Sequence, residues 1–199
     1  MFALVEDGSI TKMLSGNRGI TLNGNQYPRA LYTLWSAAER EAIGIYEVVW
    51  DNTKKKDQEY YNNTDVSYAF GNGKVTASYG DATAKAHADA NAVDADGDEL
   101  DPVVVIPGLK TIRIENIKKQ AAGILQKTDW YIVRKADAGT AVPSAITTHR
   151  AAVRTKCAEM ETAVTNASNT AAIQTLYTYT RQEDGSFTRP LGELPELEV

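Results

Sequence analysis

Three dipeptides of aspartate or asparagine followed by glycine divide the first 80 residues into short β-forming runs. They are Asp7-Gly8, Asn23-Gly24 and Asn72-Gly73. Each dipeptide favours a tight turn between two antiparallel strands, because Asp, Asn and above all Gly tolerate the backbone angles that such turns need. The flanking runs contain many β-branched and aromatic residues, which favour strands. We therefore predict a β-rich domain over residues 1–80.

One short helix interrupts this β-rich region. Ser36 is followed three residues later by Glu39, which is the pattern of a capping box, and the predicted helix runs from Ala37 to Ile43. Gly44 follows at a position where helices commonly end on glycine. The helix is therefore expected to separate the early hairpins from a strand over residues 45–50.

The composition changes between residues 81 and 107. Residues 81–92 are rich in alanine and predict a loose helix, whereas residues 93–102 are crowded with aspartate and predict a loop. We interpret residues 81–107 as an acidic linker between two domains.

After Pro107-Gly108 the apolar residues recur at helical spacing. The first stripe is Leu109, Ile112, Ile117, Ala121, Ile124 and Leu125, and a later one is Ile146, Arg150, Val153, Cys157, Met160 and Val164. Between them a short segment begins at Thr128 or Asp129, and Pro143 suits the start of the next helix. We predict a helical domain of about three helices over residues 108–177 and an extended C-terminal tail over residues 178–199. The fold class is therefore α+β.

Charge and cysteine content limit the classes of function that the chain can have. Residues 1–107 contain 9 basic and 16 acidic residues, a net charge of −7, and residues 108–176 contain 10 basic and 5 acidic, a net charge of +5. The basic residues are scattered, which favours docking of acidic on basic regions, within one chain or between copies, over nucleic-acid binding. The single cysteine suits a reducing cytoplasm, and we expect neither a signal peptide nor a membrane helix.

The chain shows no pattern typical of catalysis or of a resident metal. Asp94, Asp96 and Asp98 match the start of a calcium-binding loop, but Glu99 and Val105 stand where that loop needs glycine and glutamate. Weak cation binding by the acidic loop stays open. His87 and His149 lack partners at zinc-ligand spacing, and Cys157 falls in an apolar stripe, where cysteine packs as a small hydrophobe. We predict a non-enzymatic protein without a cofactor or metal.

Seven residues in the helical region carry a resemblance to a known family. They are Leu125, Thr128, Asp129, Trp130, Pro143, Arg150 and Arg154. This pattern, over about residues 108–177, resembles the tail assembly chaperone domain of bacteriophage tail-fibre gene clusters. The N-terminal Met1-Phe2-Ala3-Leu4-Val5 is similar to the start of small proteins encoded beside phage tail fibres. The chain departs from the family in carrying an additional β-rich domain.

The resemblance implies a protein that binds a phage tail-fibre or tail subunit and assists its folding, trimerisation or attachment. Physical roles for these residues are compatible with it: we expect Asp129 to cap the turn, Trp130 to pin the short segment between two helices, and Arg150 and Arg154 to share one helix face. We expect partner contacts from Trp130, Arg150 and Arg154, and from the tyrosines at element edges, Tyr177 and Tyr179. The expected location is the host bacterial cytoplasm during assembly, with retention in the virion tail as an alternative.

Three functional hypotheses follow. The first is a tail-fibre assembly factor that shields an apolar or unpaired edge of a fibre subunit. The second is a permanent virion component, such as a tail adaptor or decoration protein. The third is an accessory protein that binds nucleic acid through its basic middle region. A homo-oligomer is compatible with each of them.

Overall fold

The computed structural model describes residues 1–197, and this part of the chain forms two compact units. The first unit comprises Met1–Thr83, and the second begins at Ala84. Strands dominate the first unit and helices the second, which confirms the predicted α+β fold. Glu198 and Val199, the last two residues of the predicted tail, lie outside the described residues.

A five-stranded sheet is the framework of the first unit. The elements of this unit are β1 Phe2–Glu6, β2 Ser9–Leu14, β3 Ile20–Leu22, β4 Asn25–Tyr27, α1 Leu31–Leu34, α2 Ala37–Glu41, β5 Ile45–Asp51, β6 Tyr61–Asn62, β7 Val66–Gly71 and β8 Lys74–Tyr79. The sheet has the order β2-β1-β5-β8-β7, in which β5 and β8 are parallel and the other neighbours antiparallel. β3 and β4 form a separate hairpin.

The hairpins occur where the sequence predicts them. The pairs β1–β2, β3–β4 and β7–β8 turn at Asp7-Gly8, Asn23-Gly24 and Asn72-Gly73, respectively. Both residues of every pair have a positive φ, between 49° and 80°. Two successive left-handed residues give the turn whose twist matches that of paired strands, so the local sequence specifies these three turns.

The sheet buries a different cluster on each face. One face carries small residues, with Ala3, Val75 and Ala77 fully buried beside Val5 and Val48. The other cluster joins Leu4, Leu14 and Ile45 to Leu31 and Tyr32 of α1. Strand alternation explains the division, because Ala3 and Leu4 are neighbours in sequence and point to opposite faces.

The two short helices differ in how well the sequence predicts them. The capping box of α2 is confirmed, since Ser36 Oγ accepts from the Glu39 N–H and the Glu39 carboxylate accepts from the Ser36 N–H. The helix ends at Glu41, slightly before the predicted Ile43. α1 was not predicted, because its four residues are too few for a helical period and tertiary burial of Leu31 and Tyr32 stabilises it.

Helices make up most of the second unit. β9, Thr83–Ala84, spans the boundary, and the further elements are β10 Ala90–Asn91, β11 Val105–Ile106, α3 Leu109–Gln126, α4 Asp129–Ala138, α5 Ser144–Asn166, α6 Thr170–Tyr177, β12 Thr180–Arg181 and β13 Phe187–Thr188. α3 and α5 pack along their length, with Ile117 of α3 buried against Met160 and Val164 of α5. The end of α3 lies beside Arg150, near the start of α5, so the two helices run antiparallel.

Residues 81–92 do not form the predicted loose helix. Their backbone instead caps the start of α3: the N–H groups of Leu109 and Lys110 donate to the carbonyls of Ala86 and His87. The Asp89 carboxylate accepts from the Gly108 N–H at 2.8 Å and from the Thr111 hydroxyl at 2.9 Å. Satisfying the exposed N–H groups at a helix start outweighs the helix propensity of the alanines here.

The acidic loop closes on itself. Val93 and Glu99 form an isolated β-bridge, and one carboxylate oxygen of Asp94 accepts from the N–H groups of Asp96 and Asp98. The predicted linker over 81–107 is therefore a structured segment whose first part caps α3.

The C-terminal segment differs from the extended tail that the sequence predicts. β12 and β13 pair as a hairpin, and the Leu191 N–H donates to the Leu176 carbonyl at 3.0 Å. Leu191 is only 2% exposed and packs in the α3–α5 core, with Leu194 beside it. These two leucines supply the apolar area that holds residues 187–194 on the helices.

We expect Asp89→Ala to lower the melting temperature of the protein at neutral pH, because it removes two hydrogen bonds at the start of α3. The hydrogen bond from the Gly108 N–H, and then that from Thr111, holds the pKa of Asp89 below its ordinary value of 3.8. A carboxylate with a lowered pKa stabilises the fold above its unfolded-state pKa, and this contribution is lost as the pH falls through the folded-state pKa.

The difference in melting temperature between wild type and Asp89→Ala should therefore shrink as the pH is lowered into the acid range. Asp96→Ala serves as the control, because it leaves the backbone donor of Asp96 in place. A difference that is independent of pH would contradict the assigned role of Asp89.

Candidate partner-binding surface

A buried arginine fixes the geometry at one end of the α3–α5 pair. The Nη1 of Arg150, on α5, lies 2.7 Å from the Leu125 carbonyl, 2.7 Å from the Thr128 hydroxyl and 2.8 Å from the Asp129 carboxylate. The Thr128 hydroxyl also donates to the Leu125 carbonyl. We call these four residues the Arg150 network. Its centre is dry, since Arg150 and Thr128 are both buried.

The Arg150 network corrects two predictions. Arg150 is 7% exposed, so it does not contact a partner on the exposed face of α5. Asp129 does not cap the turn: Thr128 is the cap residue, and Asp129 lies in the first turn of α4, where its carboxylate binds Arg150. Spacing along α5 places Arg150 and Arg154 one turn apart, but only the packing of α3 against α5 shows which of them is buried.

The network holds the start of a helix that is otherwise open to solvent. None of the ten residues of α4 is buried. Trp130, Ile132 and Val133 are 51%, 43% and 65% exposed, respectively. An amphipathic helix usually covers its apolar face with protein, and exposed apolar clusters mark interaction surfaces. α4 is thus a helix with an apolar surface that nothing among the described residues covers.

The aromatic residues of α4 pack on each other and Trp130 is half exposed, so Trp130 does not pin the segment between two helices as predicted. The ring centroids of Trp130 and Tyr131 are 3.8 Å apart. The Arg134 guanidinium lies 4.7 Å from the Trp130 ring and 5.4 Å from the Tyr131 ring. A cation over an indole restrains the ring, so Trp130 is presented in an ordered position. Tyr131 and Arg134 are not among the residues predicted from the sequence, although the four-residue spacing of Trp130 and Arg134 is a signal.

An apolar groove of about 740 Å³ begins where α3 leads into α4. The last turns of α3 contribute Gly123 and Ile124, Lys127 follows the end of α3, and α5 contributes His149. The described C-terminal segment forms the opposite wall with Leu194 and Leu197. His149 lies 3.1 Å from the Pro195 carbonyl through its Nε2 atom. The groove and α4 therefore share the junction that the Arg150 network fixes.

Arg154 lies away from the network, on the surface between α3 and α5. It lines a shallow depression with Ala121, Leu125 and Cys157. Burial, and then a hydrogen bond to Glu161, raises the pKa of the Cys157 thiol. A thiol with a raised pKa is a poor nucleophile at neutral pH. This depression combines an apolar floor with the charged side chains of Lys118, Arg154 and Glu161. Of the two predicted arginines it is the exposed Arg154 that is free to contact a partner.

The two predicted tyrosines belong to a stack that holds the C-terminal segment. Arg113 lies 4.8 Å from the Tyr177 ring, and Arg189 lies 5.3 Å and 5.2 Å from the rings of Tyr177 and Tyr179. The Tyr179 hydroxyl donates to Glu193 at 2.6 Å. Tyr177 is half-buried here. Tyr179 keeps one exposed face, but both side chains already make contacts within the unit.

The predicted motif residues are therefore separated by role. Leu125, Thr128, Asp129 and Arg150 form the internal network, Pro143 directly precedes α5, and Trp130 and Arg154 face solvent.

Within residues 1–197 no cluster of three or more His, Cys, Asp or Glu side chains could hold a metal ion. No helix of that range is both long and apolar enough to span a membrane. In comparisons with protein-family models, curated proteins and solved structures, nothing matches the chain.

We expect Arg150→Ala to lower the free energy of unfolding by about 2–3 kcal/mol, because it removes three charge-assisted hydrogen bonds and leaves the buried Thr128 hydroxyl without a donor. Arg154→Ala removes an arginine one turn along the same helix and is expected to change it by less than about 0.5 kcal/mol. Urea unfolding followed by the helical circular dichroism signal measures both. Equal effects of the two substitutions would contradict the structural role of Arg150.

Proposed function

We propose that this chain is a non-enzymatic bacteriophage tail or tail-fibre assembly protein that binds a fibre or tail subunit through α4. The observation that carries the proposal is the ten-residue helix without a buried residue, whose start is held by an ion pair between the exposed Asp129 and the buried Arg150. Such a helix gains little from its own unit and is available to another protein. The resemblance of residues 108–177 to tail assembly chaperones supplies the class of partner.

The proposed mechanism is shielding of an apolar surface on the partner. Trp130 and Val133 lie three residues apart and so face the same side of α4. Large exposed aromatic side chains supply most of the binding energy at many protein interfaces. Because α4 is ordered before binding, its residues lose little conformational entropy on contact. The apolar groove beside Ile124 extends this surface past the start of the helix.

In this mechanism α4 covers an apolar or unpaired segment of a fibre subunit until trimerisation buries that segment. Release on trimerisation follows if the subunit interface competes for the same segment. If this chain instead keeps the contact in the particle, it is a permanent virion component that uses the same binding surface.

Trp130→Ala tests the binding surface. Co-expression with the tail-fibre subunit of the same phage should give less soluble trimeric fibre with Trp130→Ala than with wild type, because the largest exposed anchor is lost. The yield of trimer is measured by size-exclusion chromatography. Leu34→Ala is the matched control, since Leu34 is an exposed apolar residue outside α4, and it should support the wild-type yield.

A yield of soluble trimer that is unchanged when the chain is omitted would contradict the assembly role. An equal loss with Trp130→Ala and Leu34→Ala would contradict the use of α4. Mass spectrometry of purified virions separates the two forms of the proposal: a fixed ratio to the fibre indicates a permanent component, and absence indicates a released chaperone.

A further inference from the structure

Four consecutive apolar residues lie exposed next to the acidic loop, far from α4 in sequence. Val103, Val104, Val105 and Ile106 are each between 49% and 57% exposed. All four are β-branched, and the last two form β11, which pairs with β10. Exposed single apolar residues are common, but an uncharged β-branched run on a strand favours pairing with another strand.

The outer edge of β11 carries main-chain N–H and carbonyl groups that point away from β10. The Ala92 N–H donates to the Val104 carbonyl, and Ala90 pairs with Ile106, so alternate residues turn their polar groups toward β10. Val105, which lies between them, turns its N–H and carbonyl the other way. Because successive residues of a strand alternate in direction, the N–H and carbonyl of Val103 point outward as those of Val105 do. In residues 1–197 the sheet of β10 and β11 contains no further strand.

Charges on the two sides of this run are opposite in sign. Residues 94–101 contain five acidic residues and no basic one, whereas residues 108–119 contain four basic residues and one acidic residue. In an antiparallel pair of identical strands, the residues before one strand face the residues after the other. The acidic segment of each copy would therefore face the basic start of α3 in the other copy, which favours a second copy over an unrelated strand.

We propose that β11 pairs antiparallel with β11 of a second copy of this chain, so that the two hairpins form one four-stranded sheet. The register places Val103 opposite Val105 of the second copy and Val104 opposite Val104. This register uses the outward N–H and carbonyl groups of both Val103 and Val105, which gives four hydrogen bonds across the twofold axis. The apolar side chains of the two runs then cover one another.

Two prolines limit the pairing to this short stretch. Pro102 precedes the run and Pro107 follows it, and neither has an N–H to donate. A strand bounded in this way pairs over a few residues and does not extend into a continuous edge. The dimer therefore closes with two copies rather than growing into a fibre. This interface is independent of α4 and of the proposed binding of a fibre subunit.

Cysteine cross-linking tests the register. In a Cys157→Ala background, Val104→Cys places two thiols across a pair without main-chain hydrogen bonds, where Cα atoms lie about 4.5 Å apart, within disulfide range. Val103→Cys is the matched control, because in this register its two thiols are two residues out of step, with Cα atoms more than about 7 Å apart. Mild oxidation should give a covalent dimer from Val104→Cys and remain largely without effect on Val103→Cys.

The mass in solution tests the interface itself. Light scattering of the wild-type chain should give twice the mass of one chain, and the double variant Val103→Lys/Val105→Lys should give the mass of one chain, since like charges would then face each other. Val93→Lys is the control, because it changes an exposed valine outside the run and should leave the dimer intact. Circular dichroism verifies that each variant is folded.

Each of the following results would overturn the proposal: a wild-type chain that is monomeric at its highest soluble concentration, a dimer that survives the double lysine substitution, or equal cross-linking of Val103→Cys and Val104→Cys. A dimer that Trp130→Ala abolishes would assign self-association to α4 and would also overturn it. Loss of fibre binding alone leaves these readouts unchanged, so failure of the proposed function is distinguishable from failure of the dimer.

Discussion

The ion pair of Arg150 with Asp129 is the interaction on which the candidate surface depends. Removing a guanidinium from water is costly unless its hydrogen bonds are replaced. Here a carbonyl, a hydroxyl and a carboxylate all accept from the Nη1 of Arg150, whereas its buried Nε has no hydrogen-bond partner among the described residues. All three belong to the junction of α3 and α4, so the arginine holds that junction on α5. α4 itself contributes no buried residue. Without the network, little would fix the direction in which Trp130 points.

Local chemistry predicts the first unit better than the second. The three turns and the capping box follow from backbone angles and hydrogen bonds within four residues, and the structure confirms them. The wrong prediction of a helix over residues 81–92 arises from hydrogen bonds between residues that are far apart in the sequence. Their alanines favour a helix, but hydrogen bonds to Gly108 and Thr111, about twenty residues away, stabilise a capping segment instead. A single sequence does not reveal such distant partners.

The candidate site likewise contains features that the sequence predicts and features that only the packing of the helices reveals. The family resemblance grouped Thr128, Asp129, Trp130 and Arg150, and the structure brings three of them together in the network. Spacing could not tell that Arg150 is buried and Arg154 exposed, because that depends on how α5 meets α3. It also missed Val103 to Ile106, since a short β-branched run predicts burial, and its exposure follows from a two-stranded sheet without a cover.

Site-specific photo-crosslinking tests the central claim, that α4 is the surface which a fibre or tail subunit covers. A photoreactive amino acid at Val133, the most exposed apolar residue of α4, is compared with the same amino acid at Leu34. The account predicts that illumination during co-expression with the fibre subunit cross-links that subunit to position 133 and not to position 34. Cross-linking at position 34 alone, or at neither position while the two proteins still co-purify, would contradict it.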